Sequence, residues 1–173
     1  MKALFASVVA AFALVLSARS ADVTTRLSDV HLCCQNCVKG VHAALDKVPG
    51  VTAKVDADEG EVELTGPDVA TVQKATDALI DAGYFGKSSN PDIKLSTDTG
   101  AKAEKVQTLK IEGVHLCCAK CVKAVDRVVT GVPGVKSQNA VKGAKSFEVT
   151  GDFNDKDVFT ALQGAGLTGK VAK

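Results

Sequence analysis

Two seven-residue stretches, HLCCQNC from His31 to Cys37 and HLCCAKC from His115 to Cys121, mark this chain as two copies of one unit. An internal repeat of this kind restricts the fold to an architecture that can be laid down twice. The two stretches also hold all six cysteines of the chain. Within each copy two thiols stand three residues apart, Cys34 with Cys37 and Cys118 with Cys121, the separation at which a loop turning into a helix aims both sulfurs at one point. A third thiol, Cys33 or Cys117, precedes the pair. A sulfur at a helix start meets free backbone N–H groups and the positive end of the helix dipole, which favours the thiolate that metals bind. Structural disulfides use cysteines in pairs, and three per copy argues against that reading.

The 173 residues suffice for one ordinary domain or two small ones. Met1 and Lys2 lead into an apolar run from Ala3 to Leu16, followed by small residues at Ala18 and Ser20. This pattern predicts a signal peptide over residues 1–20 and a mature chain beginning near Ala21. The run is short for a membrane span, which needs about 20 apolar residues, so no membrane segment is expected after cleavage; an uncleaved anchor is the alternative. Export, to a periplasm or outside the cell, exposes thiols to oxidation, and bound metal is one protector. With 4% aromatic residues and a net charge of +1, the chain lacks the stacking platforms and basic stripes of a nucleic-acid surface.

Hydrophobic spacing predicts the same six elements in each copy. Val23 to Leu32 reads as a strand whose apolar phase slips, and Val106 to Leu116 repeats the slip. A bulge near Ser28 and Asp29, and near Gly113, would restore one buried face, turning Leu32 and Leu116 inward and His31, Cys33, His115 and Cys117 outward to solvent. A helix from about Asn36 to Lys47 follows, with Val38, Val41, Leu45 and Val48 on one face. Val51 to Val55 and Val62 to Leu64 form a hairpin. Asp68 caps a second helix to about Ala82 that buries Val69, Val72, Thr76 and Leu79, with Gly83 as its terminal glycine. A last strand lies near Tyr84 to Ser89. The second copy runs from strand to the helix Ala119 to Val129, through a hairpin over Val135 to Thr150, to a helix capped by Asn154 and a strand over Leu167 to Ala172. Residues 88–105 read as a linker, so the division expected is 1–20, 21–87, 88–105 and 106–173.

The order βαββαβ, the cysteine pair in the first strand–helix loop and the V-P-G-V at Val48 to Val51 and Val132 to Val135 together resemble the heavy-metal-associated domain. That family includes copper chaperones, metal-transporting ATPases and the periplasmic mercury-binding protein. The resemblance implies an α+β protein of two tandem ferredoxin-like βαββαβ domains. It implies metal binding by Cys34, Cys37, Cys118 and Cys121, with Leu32 and Leu116 in place of a buried methionine and Cys33 and Cys117 in place of a Thr or His. Tyr84 matches a tyrosine that bacterial copper chaperones keep near the metal; Leu167 does not. His31 and His115 depart from a usual glycine.

The function expected is an exported, non-enzymatic carrier, buffer or chaperone of a soft metal ion, one per loop. Three sulfurs suit Cu(I). With His31 or His115 as a fourth ligand, the set becomes the Cys3His tetrahedron of Zn(II); each histidine also reads as an ordinary strand residue. Hg(II) belongs to the same soft class. His42 falls on the far side of its helix. The alternatives are a thiol-disulfide oxidoreductase, and an interaction module with a structural metal. Residues 22–87 hold six basic and eleven acidic residues, and residues 106–173 ten basic and six acidic. Two readings follow. Attraction, with Lys120, Lys123 and Arg127 beside the second loop, brings the domains into contact and passes metal between them, or the charges remain solvated and the domains never meet. A metal-donor or metal-acceptor protein is the other partner implied.

Overall fold

In each half a helix follows the first strand, a hairpin turns back, and a second helix returns the chain to the edge of the sheet. A computed structural model describes residues 21–173; the expected signal segment lies outside the described residues. The first half runs β1 (Val23–Ser28), α1 (Gln35–Leu45), β2 (Thr52–Asp56), β3 (Glu61–Gly66), α2 (Val69–Asp81) and β4 (Lys87–Ser88). The second runs β5 (Lys105–Glu112), α3 (Ala119–Thr130), β6 (Val135–Gln138), β7 (Ser146–Asn154), α4 (Asp155–Gly164) and β8 (Lys170–Val171). The sheets have strand orders β2-β3-β1-β4 and β6-β7-β5-β8, with every pairing antiparallel. This is the split βαββαβ arrangement of the ferredoxin-like fold.

The phase slip in the first strand of each half is resolved by the backbone. β1 stops at Ser28 because Asp29 takes φ 60°, and β5 stops at Glu112 because Gly113 takes φ 80°. Each is a left-handed break beyond the paired ladder rather than a bulge inside it; the register shifts of the second sheet lie instead between Val106 and Thr108 and between Val135 and Ser137. After the break Val30, Leu32, Val114 and Leu116 are buried with Leu27, Leu109 and Ile111. One residue at positive φ therefore returns both parities to the same core.

The second helix of each half starts on a side-chain cap, Asp68 accepting from Thr71 N–H at 2.7 Å and Asn154 from Lys156 N–H at 3.0 Å. Val72, Thr76 and Leu79 are buried as their spacing predicts, but Val69, the first residue of α2, is exposed. The closing strands shrink to two residues each.

Residues 89–104 contain no helix or strand, yet they are held. Ile93 and Thr99 are buried. The Asp155 carboxylate, itself buried, accepts the N–H groups of Lys102 and Glu104 at 2.9 and 3.0 Å, and Thr99 accepts the Val171 N–H at 2.8 Å.

The halves meet edge to edge. Tyr84 and Leu167 pair as a single antiparallel bridge, and Thr168 N–H reaches the Gly83 carbonyl at 3.0 Å. Gly166 carbonyl accepts from both His31 N–H at 3.2 Å and Phe85 N–H at 3.1 Å. Gly83 and Gly166 need to be glycine here for two reasons. Their φ angles are 87° and 75°, and a Cβ would lie 2.5 Å from the backbone nitrogen of His115 or His31 in the opposite half. Buried residues of both halves form one continuous apolar cluster that includes Cys37, Tyr84, Cys121 and Leu167.

Candidate metal centre

The first turn of α1 and of α3 delivers the sulfurs. Cys34 and Cys118 occupy the N-cap positions in extended conformation, and neither donates or accepts a side-chain capping bond, which leaves both sulfurs free to face outward from the helix. Cys37 and Cys121, one turn on, are fully buried. Edge-to-edge packing then sets the two loops against each other. The Sγ of Cys33 lies 3.4 Å from that of Cys118 and 3.5 Å from that of Cys121. The Sγ of Cys37 lies 3.5 Å from Cys117, 3.7 Å from Cys33 and 4.0 Å from Cys121. Distances within each C-x-x-C pair are 3.9 Å and 3.8 Å. All six thiols form one cluster, none of them in a disulfide.

The outward direction expected for His31, Cys33, His115 and Cys117 is corrected by this contact. All four are half-buried, because the face that a lone half would show to water is covered by the other half. Leu32 and Leu116 lie beneath the loops as expected, and His42 is exposed.

The two histidines differ. His115 Nε2 is 3.1 Å from the Tyr84 hydroxyl, their rings lie 4.5 Å apart, and that hydroxyl donates to the Cys37 carbonyl at 2.8 Å. Leu167 occupies the place of Tyr84 in the other half and offers no such group. His31 Nε2 is accordingly buried with no hydrogen-bond partner, and a ring nitrogen of His31 lies within 4.8 Å of both Cys33 and Cys121 sulfurs. Among the pair, His31 is the histidine placed to join the sulfurs.

Acid–base character follows position. Burial works against ionisation of Cys118, but the backbone N–H of Cys121, the Cys33 thiol and the backbone N–H of Lys120 outweigh it and bring Cys118 down to about 6. The Cys37 N–H, with that of Asn36, likewise lowers Cys34. Desolvation raises Cys33 and Cys117, and raises Cys121 to about 11. Burial lowers both histidines, aided by Arg127 at His31 and by His31 at His115, so both are held neutral and able to act as ligands. The Tyr84 hydroxyl is kept protonated by desolvation and by the surrounding thiols. Lys120 extends its ammonium to the Cys33 carbonyl in the other half, 3.5 Å away.

Sequence reasoning finds every one of these sulfurs, but it reads Gly83 only as a helix terminator and misses Gly166, and so misses the close approach by which both glycines bring the sulfurs together. The available signal is positional: A-G-Y at Ala82 to Tyr84 and A-G-L at Ala165 to Leu167 recur at the same point of each copy.

A soft cation with metal–sulfur bonds of about 2.3 Å in a trigonal plane separates its sulfurs by about 4.0 Å. The pairs here, at 3.4 to 4.0 Å, fit that span with little movement. The residue types and spacing suit a soft metal ion.

No protein-family model matches the chain. The chain is similar to the copper-transporting ATPase RAN1 of Arabidopsis thaliana, with 26% identity over 145 residues, covering 81% of this chain and 14% of that protein. It is similar also to a copper-exporting P-type ATPase of Vibrio cholerae serotype O1, with 28% identity over 130 residues, 73% of this chain and 13% of that one. The chain thus spans about one-seventh of the length of these relatives. Among solved structures, the N-terminal domain of PacS from Synechocystis PCC6803 overlaps 39% of this chain and 100% of its own, with 25% identity and a TM-score of 0.36.

Proposed function

We infer that this protein, a heavy-metal-associated domain protein, is an exported carrier or buffer of Cu(I) built from two tandem ferredoxin-like domains, residues 21–87 and 106–173, whose loops act together. The observation that carries this reading is the sulfur cluster: six reduced thiols from two separate loops packed at metal-bridging distances. Thiolates select soft ions, and copper among them is favoured by the copper-transporting relatives.

The site's own residues do four things. Cys37 and Cys121, fully buried, hold the floor, while Cys33, Cys34, Cys117 and Cys118 remain half-exposed at the mouth, where a donor or acceptor protein can exchange ligands. Cys34 and Cys118 ionise most readily because helix N–H groups point at them, so they are the entry ligands. Tyr84 fixes His115 and the Cys37 carbonyl and closes one flank against water. His31 supplies a neutral nitrogen where Zn(II), rather than Cu(I), demands a fourth donor.

Export rests on the apolar leader and on the need to keep six thiols reduced in an oxidising compartment, which bound metal supplies. A non-enzymatic role fits the all-antiparallel sheets, which differ from the parallel strand–helix alternation of thioredoxin-like oxidoreductases. Among the described residues no helix is long and apolar enough to cross a membrane.

The deciding experiment is metal analysis of protein purified under reducing, anaerobic conditions. Bound copper that is lost after cysteine alkylation supports the carrier. Metal-free protein that reduces insulin disulfides supports an oxidoreductase and overturns it.

A further inference from the structure

We propose that the two loops hold one polynuclear Cu(I)–thiolate cluster of four ions, rather than one ion each. The proposal rests on the soft-metal reading above and deepens it.

The geometry is that of an octahedron of sulfur. Nine pairs of sulfurs lie at 3.4 to 4.0 Å, and Cys33 with Cys34, Cys34 with Cys118, and Cys117 with Cys118 lie within 4.8 Å. These twelve are the edges of an octahedron in which Cys33 stands opposite Cys117, Cys34 opposite Cys121 and Cys37 opposite Cys118. Exchanging the two halves, Cys33 for Cys117, Cys34 for Cys118 and Cys37 for Cys121, maps the octahedron onto itself, so the repeat in the sequence becomes a twofold relation among the sulfurs, one that exchanges the two sets of alternate faces.

An octahedron has eight triangular faces, and four alternate faces share corners but no edge. Three of one such set are Cys33, Cys34 and Cys118; Cys34, Cys37 and Cys117; and Cys117, Cys118 and Cys121, each mutually within 4.8 Å. The fourth is Cys33, Cys37 and Cys121, with edges of 3.7, 3.5 and 4.0 Å. Each sulfur belongs to two faces of the set. A Cu(I) ion seated in each face is therefore three-coordinate, and every cysteine bridges two ions, with no sulfur left over and no face short of a donor. Discrete mononuclear sites do not use this arrangement: one ion on each C-x-x-C pair would leave Cys33 and Cys117 pointing into the shared space without a role. Among the described residues His31, whose nitrogen lies near the Cys33–Cys121 edge, is an additional donor beside the fourth face.

The balance is one of charge and protons only. Six thiols lose six protons as twelve Cu–S bonds form, copper remains Cu(I), and four cations against six thiolates leave a net charge of −2. Lys120, drawn across to the Cys33 carbonyl, and Arg127, which acts electrostatically on His31, stand on the helix that faces this charge.

The test uses the whole reduced mature chain, titrated anaerobically with Cu(I) supplied as its acetonitrile complex. Native mass spectrometry reads ions per chain and chains per particle; X-ray absorption reads metal–metal scattering. The result expected is a single-chain particle that passes from no copper to four with the intermediate loadings scarce, and with a copper–copper path. The double variant Cys33→Ser, Cys117→Ser removes one sulfur from every face; it should saturate at no more than two ions and lose the copper–copper path while circular dichroism stays unchanged. Saturation of the unaltered chain at one or two ions, absence of a metal–metal path, or four ions found only in particles of two chains overturns the cluster and leaves the carrier reading standing. Failure to bind Cu(I) at all overturns both.

Discussion

Gly166→Ala tests whether edge-to-edge packing holds the metal site together. A Cβ at this position collides with the Asp29 carbonyl oxygen and lies 2.5 Å from the His31 nitrogen. Ordinary contact is about 3.5 Å, so the halves must retreat by roughly 1 Å. Staying in place is not an option open to backbone on both sides, whereas retreat sacrifices hydrogen bonds worth about 1 kcal/mol each, so retreat is the response. The sulfur pairs that cross the halves, now 3.4 to 4.0 Å, would open to about 4.4 to 5.0 Å, beyond the roughly 4.0 Å that a trigonal ion spans. We expect Cu(I) affinity, measured by competition with a chromophoric chelator, to fall at least tenfold, about 1.4 kcal/mol. Left-handed strain in alanine, about 1 to 2 kcal/mol, is a confounder. Gly143→Ala controls for it, since φ is 77° there and nothing lies within 4 Å of the added carbon. If Gly166→Ala binds copper as tightly as Gly143→Ala, the close approach does not hold the site and the reasoning fails.

Tyr84→Phe should destabilise the fold by about 1 to 3 kcal/mol, because the buried Cys37 carbonyl and His115 nitrogen lose their partner; an unchanged urea midpoint would contradict this. Asp155→Ala strands the amides of Lys102 and Glu104, and hydrogen exchange across residues 99–105 should accelerate while that of β1 and β3 stays as it was. The Thr71 N–H holds the Asp68 carboxyl below its usual range, so this cap contributes stability above the unfolded pKa of about 3.9 and loses it as pH falls through the lower native value. The destabilisation caused by Asp68→Ala should therefore shrink between pH 7 and pH 2.5; a difference that is the same at both would rule out the charged cap. Reversing Lys120, Lys123 and Arg127 to Glu should slow copper transfer from an acidic donor protein and flatten its salt dependence in stopped-flow mixing, and rates indifferent to both changes would remove charge from the mechanism.

Most of each half was legible locally. The caps at Asp68 and Asn154, the apolar faces of the four helices and the hairpins follow from residue type and spacing, and the phase slip located the breaks at Asp29 and Gly113 to within a residue. Contact between the halves was not legible as geometry. Gly83 has a sufficient local explanation as a helix-terminating glycine, so nothing in the pattern demanded a second reason for it, and the same holds for Gly166. The direction of Cys33 and Cys117 failed for a related reason. Period-two alternation separates the core face from the other face, but it says nothing of whether that other face meets water or a second copy of the same surface. Val69 and the buried Ile93 show the same limit, since burial at the end of an element depends on what packs there rather than on its own periodicity.

Because Asp155 grips the chain just before β5 and residues 89–104 pack against both halves, the two loops are never independent reactants. Their meeting is unimolecular, with a local concentration set by the covalent connection rather than by the amount of protein present. A site shared between separate molecules dissolves on dilution, in proportion to its dissociation constant. This one keeps its full complement of sulfurs at any abundance, so changing expression changes how many sites exist and not how complete each one is.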